Sequence, residues 1–245
     1  MNIVGVIPAR YGSTRFPGKP LKPIAGKPLL QWVIEGAKKA KSLTQVMVAT
    51  DHPEIQALAK SCGVEVAMTD SDLPSGSDRV WAAIQNIKAD VVLNIQGDEP
   101  LITGELLDAL TQPFFKDDSL EMATLGRKIN PGDLESKQTA KIVLNERGEA
   151  LYFSRFPIPY SRIDAPVKEA VCLKHIGIYA FRKNFLERFC SHGPTQLEMA
   201  EGLEQLRALY LGARIKVVLV EHESWGVDVP VDVQKIETIL KTQRG

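Results

Sequence analysis

Three cations, Arg10, Arg15 and Lys19, fall within ten residues of one another, and no acid accompanies them. The stretch runs Pro8-Ala9-Arg10-Tyr11-Gly12-Ser13-Thr14-Arg15-Phe16-Pro17-Gly18-Lys19-Pro20. Gly12 and Gly18 let the backbone come close to a ligand, and its N–H groups can cradle phosphate oxygens. A solvated basic loop ordinarily carries compensating Asp or Glu, so the imbalance points to a polyphosphate. Spacing rules out two familiar phosphate loops. The Walker pattern G-x-x-x-x-G-K-[ST] fails because five residues separate Gly12 from Gly18 and Pro20 follows Lys19. The dinucleotide fingerprint G-x-G-x-x-G is absent. Two carboxylates complete the chemistry. Asp98 sits in Asn94-Ile95-Gln96-Gly97-Asp98-Glu99-Pro100, and Asp228 in Gly226-Val227-Asp228-Val229-Pro230. Either Asp alone would suit a helix cap or a turn. Asp98, just past a strand, lies where a phosphate-bound Mg²⁺ would be held, and with Asp228 and the cationic loop it suits metal-assisted nucleotidyl transfer.

These residues need a scaffold that gathers them. Ile3–Ile7, Val46–Ala49, Val64–Met68 and Val91–Ile95 read as strands, the first and last as continuous buried runs. Between them, Leu29–Ala40, Pro53–Ser61 and Ser77–Ile87 read as helices, Leu29–Ala40 introduced by Pro28 and Ser77–Ile87 with Asp78 in its first turn. This rhythm predicts an α/β fold with a mostly parallel central sheet and flanking helices, whose ligand loops follow the strand C-termini. The pattern then changes. Met122–Arg127, Lys141–Asn145, Ala150–Ser154 and Leu173–Phe181 read as strands, with Glu146–Glu149 a hairpin-like connection. They predict an antiparallel β-rich lobe over about 120–180 within a single domain spanning 1–245. Helices are expected at Lys183–Cys190, Glu198–Leu211 and from about Val231, with a strand at Ile215–Val220.

Composition excludes other classes. Lys plus Arg equals Asp plus Glu at 30 each, so no global basic field recruits nucleic acid. Cys62, Cys172 and Cys190 are an odd, scattered set that makes neither a disulfide framework nor a zinc site. No signal-peptide pattern and no membrane-length apolar run is present, so a cytoplasmic protein without membrane partners is expected.

The segments PARYGSTRFPGKPL, SGSDR, NIQGDEP, LYFSR, KHIGIYAFRK, LEQLR and GVDVPVD occur in an order and spacing that resemble the 3-deoxy-D-manno-octulosonate (Kdo) cytidylyltransferases. The resemblance covers nearly the whole chain. It implies a nucleotide-diphospho-sugar-transferase-like fold, Mg²⁺ dependence, homodimers built through the β-rich lobe, and a role in lipopolysaccharide synthesis. It implies that Arg10, Ser13, Arg15, Lys19, Ser75, Gly76 and Arg79 bind the nucleotide, CTP. Catalysis would fall to Lys19, Arg10, Asp98 and Asp228, and Kdo would meet Gln96, Arg155, His175, Tyr179, Glu204 and Gln205. Residue types allow blander roles for several: His175 as a structural histidine on a strand, Glu204 and Gln205 on a solvated helix face. Two departures stand out. The family's usual SGTER reads Ser75-Gly76-Ser77-Asp78-Arg79, a shortened acid expected to be tolerated, and Leu134–Lys141 replaces an Asn-Pro-rich stretch. Alternatives remain a cytidylyltransferase for 8-amino-Kdo or a sialic-acid-like sugar, or a non-catalytic sugar-nucleotide-binding protein. The loop GSTRFPGKP differs from the GSKGIPRKN typical of the sialic-acid enzymes.

Overall fold

The computed structural model describes residues 1–12, 16–162 and 171–242. They form two compact units, Met1–Asp108 with Ser224–Gly245, and Ala109–Glu223.

The first unit opens with β1 (Ile3–Ala9), almost entirely buried. A small hairpin, β2 (Pro23–Ile24) and β3 (Lys27–Pro28), leads into α1 (Leu29–Ala37). Then follow β4 (Gln45–Thr50), α2 (Pro53–Ser61), β5 (Glu65–Met68), α3 (Gly76–Ile84), β6 (Val91–Asn94) and α4 (Gly104–Thr111). The strands lie in the order β6-β1-β4-β5, every pairing parallel. β1 is central, as its unbroken apolar run demands: a strand covered on both faces has no polar side to show. Register brings the ends together. Ala9 pairs with Thr50 and Val6 with Asn94, so the loops after β1, β4 and β6 leave the sheet side by side. Gly97 lets the β6 loop come close to β1, since a Cβ there would stand 2.6 Å from the Pro8 carbonyl oxygen. The C-terminal helix Pro230–Thr242 also belongs to this unit.

The second unit contains β7 (Met122–Lys128), α5 (Pro131–Glu135), β8 (Lys141–Leu144), β9 (Ala150–Ser154) and β10 (Leu173–Arg182). It continues with α6 (Lys183–Ser191), α7 (Gln196–Glu201), α8 (Gln205–Tyr210) and β11 (Ile215–Leu219). β10 runs antiparallel to β7 and β8, and β8 antiparallel to β9, the pattern expected of the lobe. β11 instead lies parallel to β7. Phe181 on β10 packs with Phe185 and Phe189 of α6, which anchors the helix to the sheet.

Two expectations about elements need correction. The helix anticipated over Glu198–Leu211 is broken into α7 and α8, because Gly202 adopts φ 61° and caps α7 with its N–H on the Glu198 carbonyl. α7 starts with a reciprocal capping box between Thr195 and Glu198. The helix anticipated to run to Ala40 ends at Ala37, where tighter turns bring the Lys39 N–H to the Gly36 carbonyl. α4 and α5 are short helices that apolar periodicity did not reveal.

Candidate active site

A cleft of about 330 Å³ opens in the first unit where its strand-end loops meet. Arg10, Lys19, Ser75, Gly76, Arg79, Gln96, Asp98 and Asp228 all line it. Residues some 210 positions apart in sequence thus share one wall. Ser13 and Arg15 lie outside the described residues.

Lys19 is the hub. Its Nζ donates to Asp98 Oδ2 at 2.7 Å and to the Val227 carbonyl at 2.8 Å, and lies 3.8 Å from Asp228 Oδ1. The two carboxylates therefore converge on one cation. The Val227 N–H donates back to the Asp98 carbonyl at 2.9 Å, lacing the two acidic loops together. Two hard carboxylates suit Mg²⁺, which commonly takes one or two and completes its octahedron with water and substrate phosphate oxygens. No cluster of three or more His, Cys, Asp or Glu among the described residues suits a dedicated metal cage. The two carboxylates fit a Mg²⁺ that would be held by few protein ligands.

Ser75 caps α3, its Oγ accepting from the Asp78 N–H at 3.2 Å, and so sets the cleft wall at a helix N-terminus. The same Oγ donates to Asp78 Oδ2 at 2.7 Å, so the shorter acid of this chain reaches its cap. Arg79 follows one turn on and is buried. Burial pushes its guanidinium pKa down, against the pull of Asp51, whose Oδ2 lies 3.7 Å from NH2. NH1 donates to Thr69 Oγ1, whereas NH2 has no hydrogen-bond partner among the described residues. A buried charged donor left unsatisfied is costly, and an anionic ligand in the cleft would relieve it.

Asp51 escaped the sequence reading. It accepts from the Tyr11 N–H at 3.0 Å, while Tyr11 stacks on His52 with ring centroids 3.9 Å apart. The start of the cationic loop is thereby pinned to the end of β4. A carboxylate directly after a strand of the parallel sheet was the signal available for it.

The second unit holds another polar cluster. Tyr179 Oη donates to Gln205 Oε1 at 3.0 Å, and Gln205 Nε2 lies 3.4 Å from His175 Nδ1. His175 Nε2 lies 3.0 Å from Thr124 Oγ1, which itself donates to the carbonyl of Ile178 at 2.9 Å. With the single Thr124 hydroxyl proton so committed, Nε2 must carry the imidazole proton and Nδ1 accept from Gln205. Burial pushes the His175 pKa down to about 3, so the ring is neutral, and it raises that of Tyr179, with Glu204 adding to the rise. His175, Tyr179, Glu204 and Gln205 are thus neighbours, although α6 and α7 separate the first two from the last two in sequence.

Arg155 stands apart from that cluster in its bonding. Its Nε donates to the Glu201 carbonyl at 2.7 Å, NH1 to those of Lys137 and Gln138 at 3.2 Å each, and NH2 to that of Gly202 at 3.1 Å. Of five guanidinium N–H groups, four are taken. A bidentate grip on a sugar carboxylate would have to break them. Gln96, expected to meet the sugar, lines the cleft of the first unit.

Residues 4–215 match the cytidylyltransferase family. The chain belongs to that family, and is a nucleotidyltransferase. Within it, the chain is 58% identical over 245 residues to a 3-deoxy-manno-octulosonate cytidylyltransferase of Bdellovibrio bacteriovorus, covering 99% of each chain. It is 43% identical to one of Geobacter sulfurreducens, covering 98% of this chain and all of that one. A solved CMP:2-keto-3-deoxy-manno-octonic acid synthetase complexed with CTP superposes with a TM-score of 0.93 at 39% identity, over 99% of this chain and 100% of the other. The chain is therefore a member of the 3-deoxy-manno-octulosonate cytidylyltransferases, with their mostly parallel, nucleotide-diphospho-sugar-transferase-like fold.

Proposed function

We propose that this protein transfers CMP from CTP to the anomeric hydroxyl of Kdo. The anomeric hydroxyl gives up its proton to solvent as its oxygen bonds to the α-phosphorus, the bond from that phosphorus to the bridging oxygen breaks, and pyrophosphate leaves with the electron pair. The convergence of Asp98 and Asp228 on the Lys19 ammonium, in a cleft that also presents Arg10 and Arg79, carries this reading. Arg10, Lys19 and Arg79 neutralise the triphosphate, and Ser75 and Gly76 offer it the N-terminus of α3. Asp98 and Asp228 would hold Mg²⁺, which would supply charge to balance the phosphates and make the attacking hydroxyl more acidic. No covalent enzyme intermediate is required. Positioning and charge neutralisation do the work.

Kdo is assigned to the His175, Tyr179, Glu204 and Gln205 cluster, whose neutral imidazole and amide suit sugar hydroxyls. Arg155 supports that pocket by holding the Glu201 and Gly202 carbonyls just ahead of Glu204, and has one N–H left for the sugar. The protein works in the cytoplasm, in lipopolysaccharide synthesis, as a homodimer. Pyrophosphate release measured over Kdo, 8-amino-Kdo and sialic acid, each with CTP and Mg²⁺, tests the whole reading. Kdo should be turned over most efficiently. Release with none of them, despite CTP binding, would identify a binding protein.

A further inference from the structure

Asp228 is half-exposed on a segment without regular secondary structure, yet its side chain meets Lys19. Something must hold that segment. On its C-terminal side Asp232 does so, accepting from the N–H groups of Asp228 at 2.8 Å and Val229 at 2.9 Å. At its centre, the Val227 N–H and carbonyl are fixed by Asp98 and Lys19. On its N-terminal side the holder is Glu99, immediately after Asp98 and 8% exposed. Its Oε1 accepts from Ser224 Oγ, and its Oε2 from the Trp225 N–H at 3.1 Å. Both oxygens are thus turned to the segment, and Oε1 also lies against Gly226, 3.7 Å from where a Cβ would stand.

We propose that Glu99 is a positioning residue for the second carboxylate: by gripping Ser224 and Trp225 it sets Asp228 opposite Asp98, so that the pair can share one divalent cation. The proposal rests on the metal reading above. A buried carboxylate is retained only where hydrogen bonds repay its lost hydration, and here they come from the segment that carries Asp228. The adjacent acids then divide the work. Asp98 faces the ligand, and Glu99 faces the loop that completes the site.

The test compares CTP affinity by calorimetry with Mg²⁺ and with EDTA, in the absence of sugar. The ratio is the gain in affinity due to metal, and it is coupled to the geometry of both carboxylates. In Glu99→Gln one acceptor becomes a donor facing a hydroxyl or an N–H, so the gain should fall about tenfold while affinity in EDTA stays at the wild-type value. Ser224→Ala removes one of the two grips and should lower the gain by a smaller factor. It carries the test should Glu99→Gln fail to fold. Asp228→Asn is the reference and should lose most of the gain. A wild-type gain in folded Glu99→Gln, or in Ser224→Ala if that variant alone folds, overturns the proposal when Asp228→Asn loses its gain. Complete loss in Glu99→Gln with an unchanged Ser224→Ala would make Glu99 a ligand, and also overturn it. Retention of the gain by Asp228→Asn would overturn the metal reading itself, and the positioning role with it.

Discussion

An ammonium 2.7 Å from one carboxylate and 3.8 Å from another is largely neutralised before any substrate arrives. On the proposed reading Lys19 therefore has two tasks, keeping Asp98 and Asp228 from repelling each other and lending charge to the triphosphate. Lys19→Ala removes both. A hydrogen-bonded charge is worth about 1.5–3 kcal/mol, so catalytic efficiency should drop tenfold or more, with the circular dichroism spectrum unchanged. Wild-type kinetics in that variant would show the loop has another purpose. His175 yields a prediction about stability. Its folded pKa, near 3, lies below the ordinary 6.5, so as pH falls the unfolded chain takes up the proton first. The stability due to a neutral His175 is complete above pH 6.5 and drains away between there and about pH 3. Melting temperatures followed over that range should fall less steeply in His175→Gln than in wild type. Parallel curves would mean that the imidazole is not held neutral.

At the scale of elements, cationic side chains hold the second unit's loops. Lys141, fully buried, donates its Nζ to the carbonyls of Ser136, Thr139 and Arg155, and Arg155 takes those of Lys137 and Gln138. Every carbonyl from Ser136 to Thr139 is thus bound by a cation. This gives the segment Leu134–Lys141, for which motif resemblance supplied no role, a structural account. Arg155→Ala should therefore lower the melting temperature as well as raise the KM for Kdo, because the Glu201–Gly202 corner loses its grip. Arg155→Lys should restore neither fully, since one ammonium cannot reach carbonyls on both sides. Metal-free CTP affinity should not change, and a variant that lost it while keeping its Kdo KM would break the assignment.

The same scale explains what the sequence could disclose. Pro53–Ser61 and Ala150–Ser154 were legible to the residue because proline, aromatic residues and turn signals act locally. Lys19, Asp98 and Asp228 were legible because they follow strand ends or turns, where a parallel sheet gathers its loops, whereas Arg79, inside α3, came only from motif resemblance. Gly202 was not read as a break, since apolar spacing continues across it and only its positive φ stops the helix. Asp51, Glu99 and Thr124 were passed over for a different reason. Their partners lie 40, 125 and 51 residues away, and nothing local marks a residue whose task is to hold a distant backbone.

At the scale of the molecule, the homodimer proposed above needs apolar surface to bury, and the second unit presents several large exposed side chains. Phe156 is 72% exposed, Tyr160 84% and Met199 65%, and Leu151 and Leu197 are exposed as well. Isolated apolar residues are ordinary on surfaces, but large ones gathered on β9, on the chain just beyond it and on α7 are what the proposed dimer would cover. A second copy of the chain presenting the same patch about a two-fold axis would satisfy it. A stable interface buries about 1,200–2,000 Å², and its most effective anchors are aromatic side chains such as Phe156 and Tyr160. Phe156→Asp combined with Met199→Asp places charges where apolar surface should meet apolar surface. Neither side chain is part of its own subunit's core, so the variant should keep its secondary structure and its CTP affinity. Sedimentation equilibrium should show the wild type as a dimer and the double variant shifted toward monomer by at least a hundredfold in dissociation constant, the effect of about 2.7 kcal/mol. A wild-type protein that sediments as a monomer at micromolar concentration, or a double variant that stays dimeric, would move the interface elsewhere or remove it.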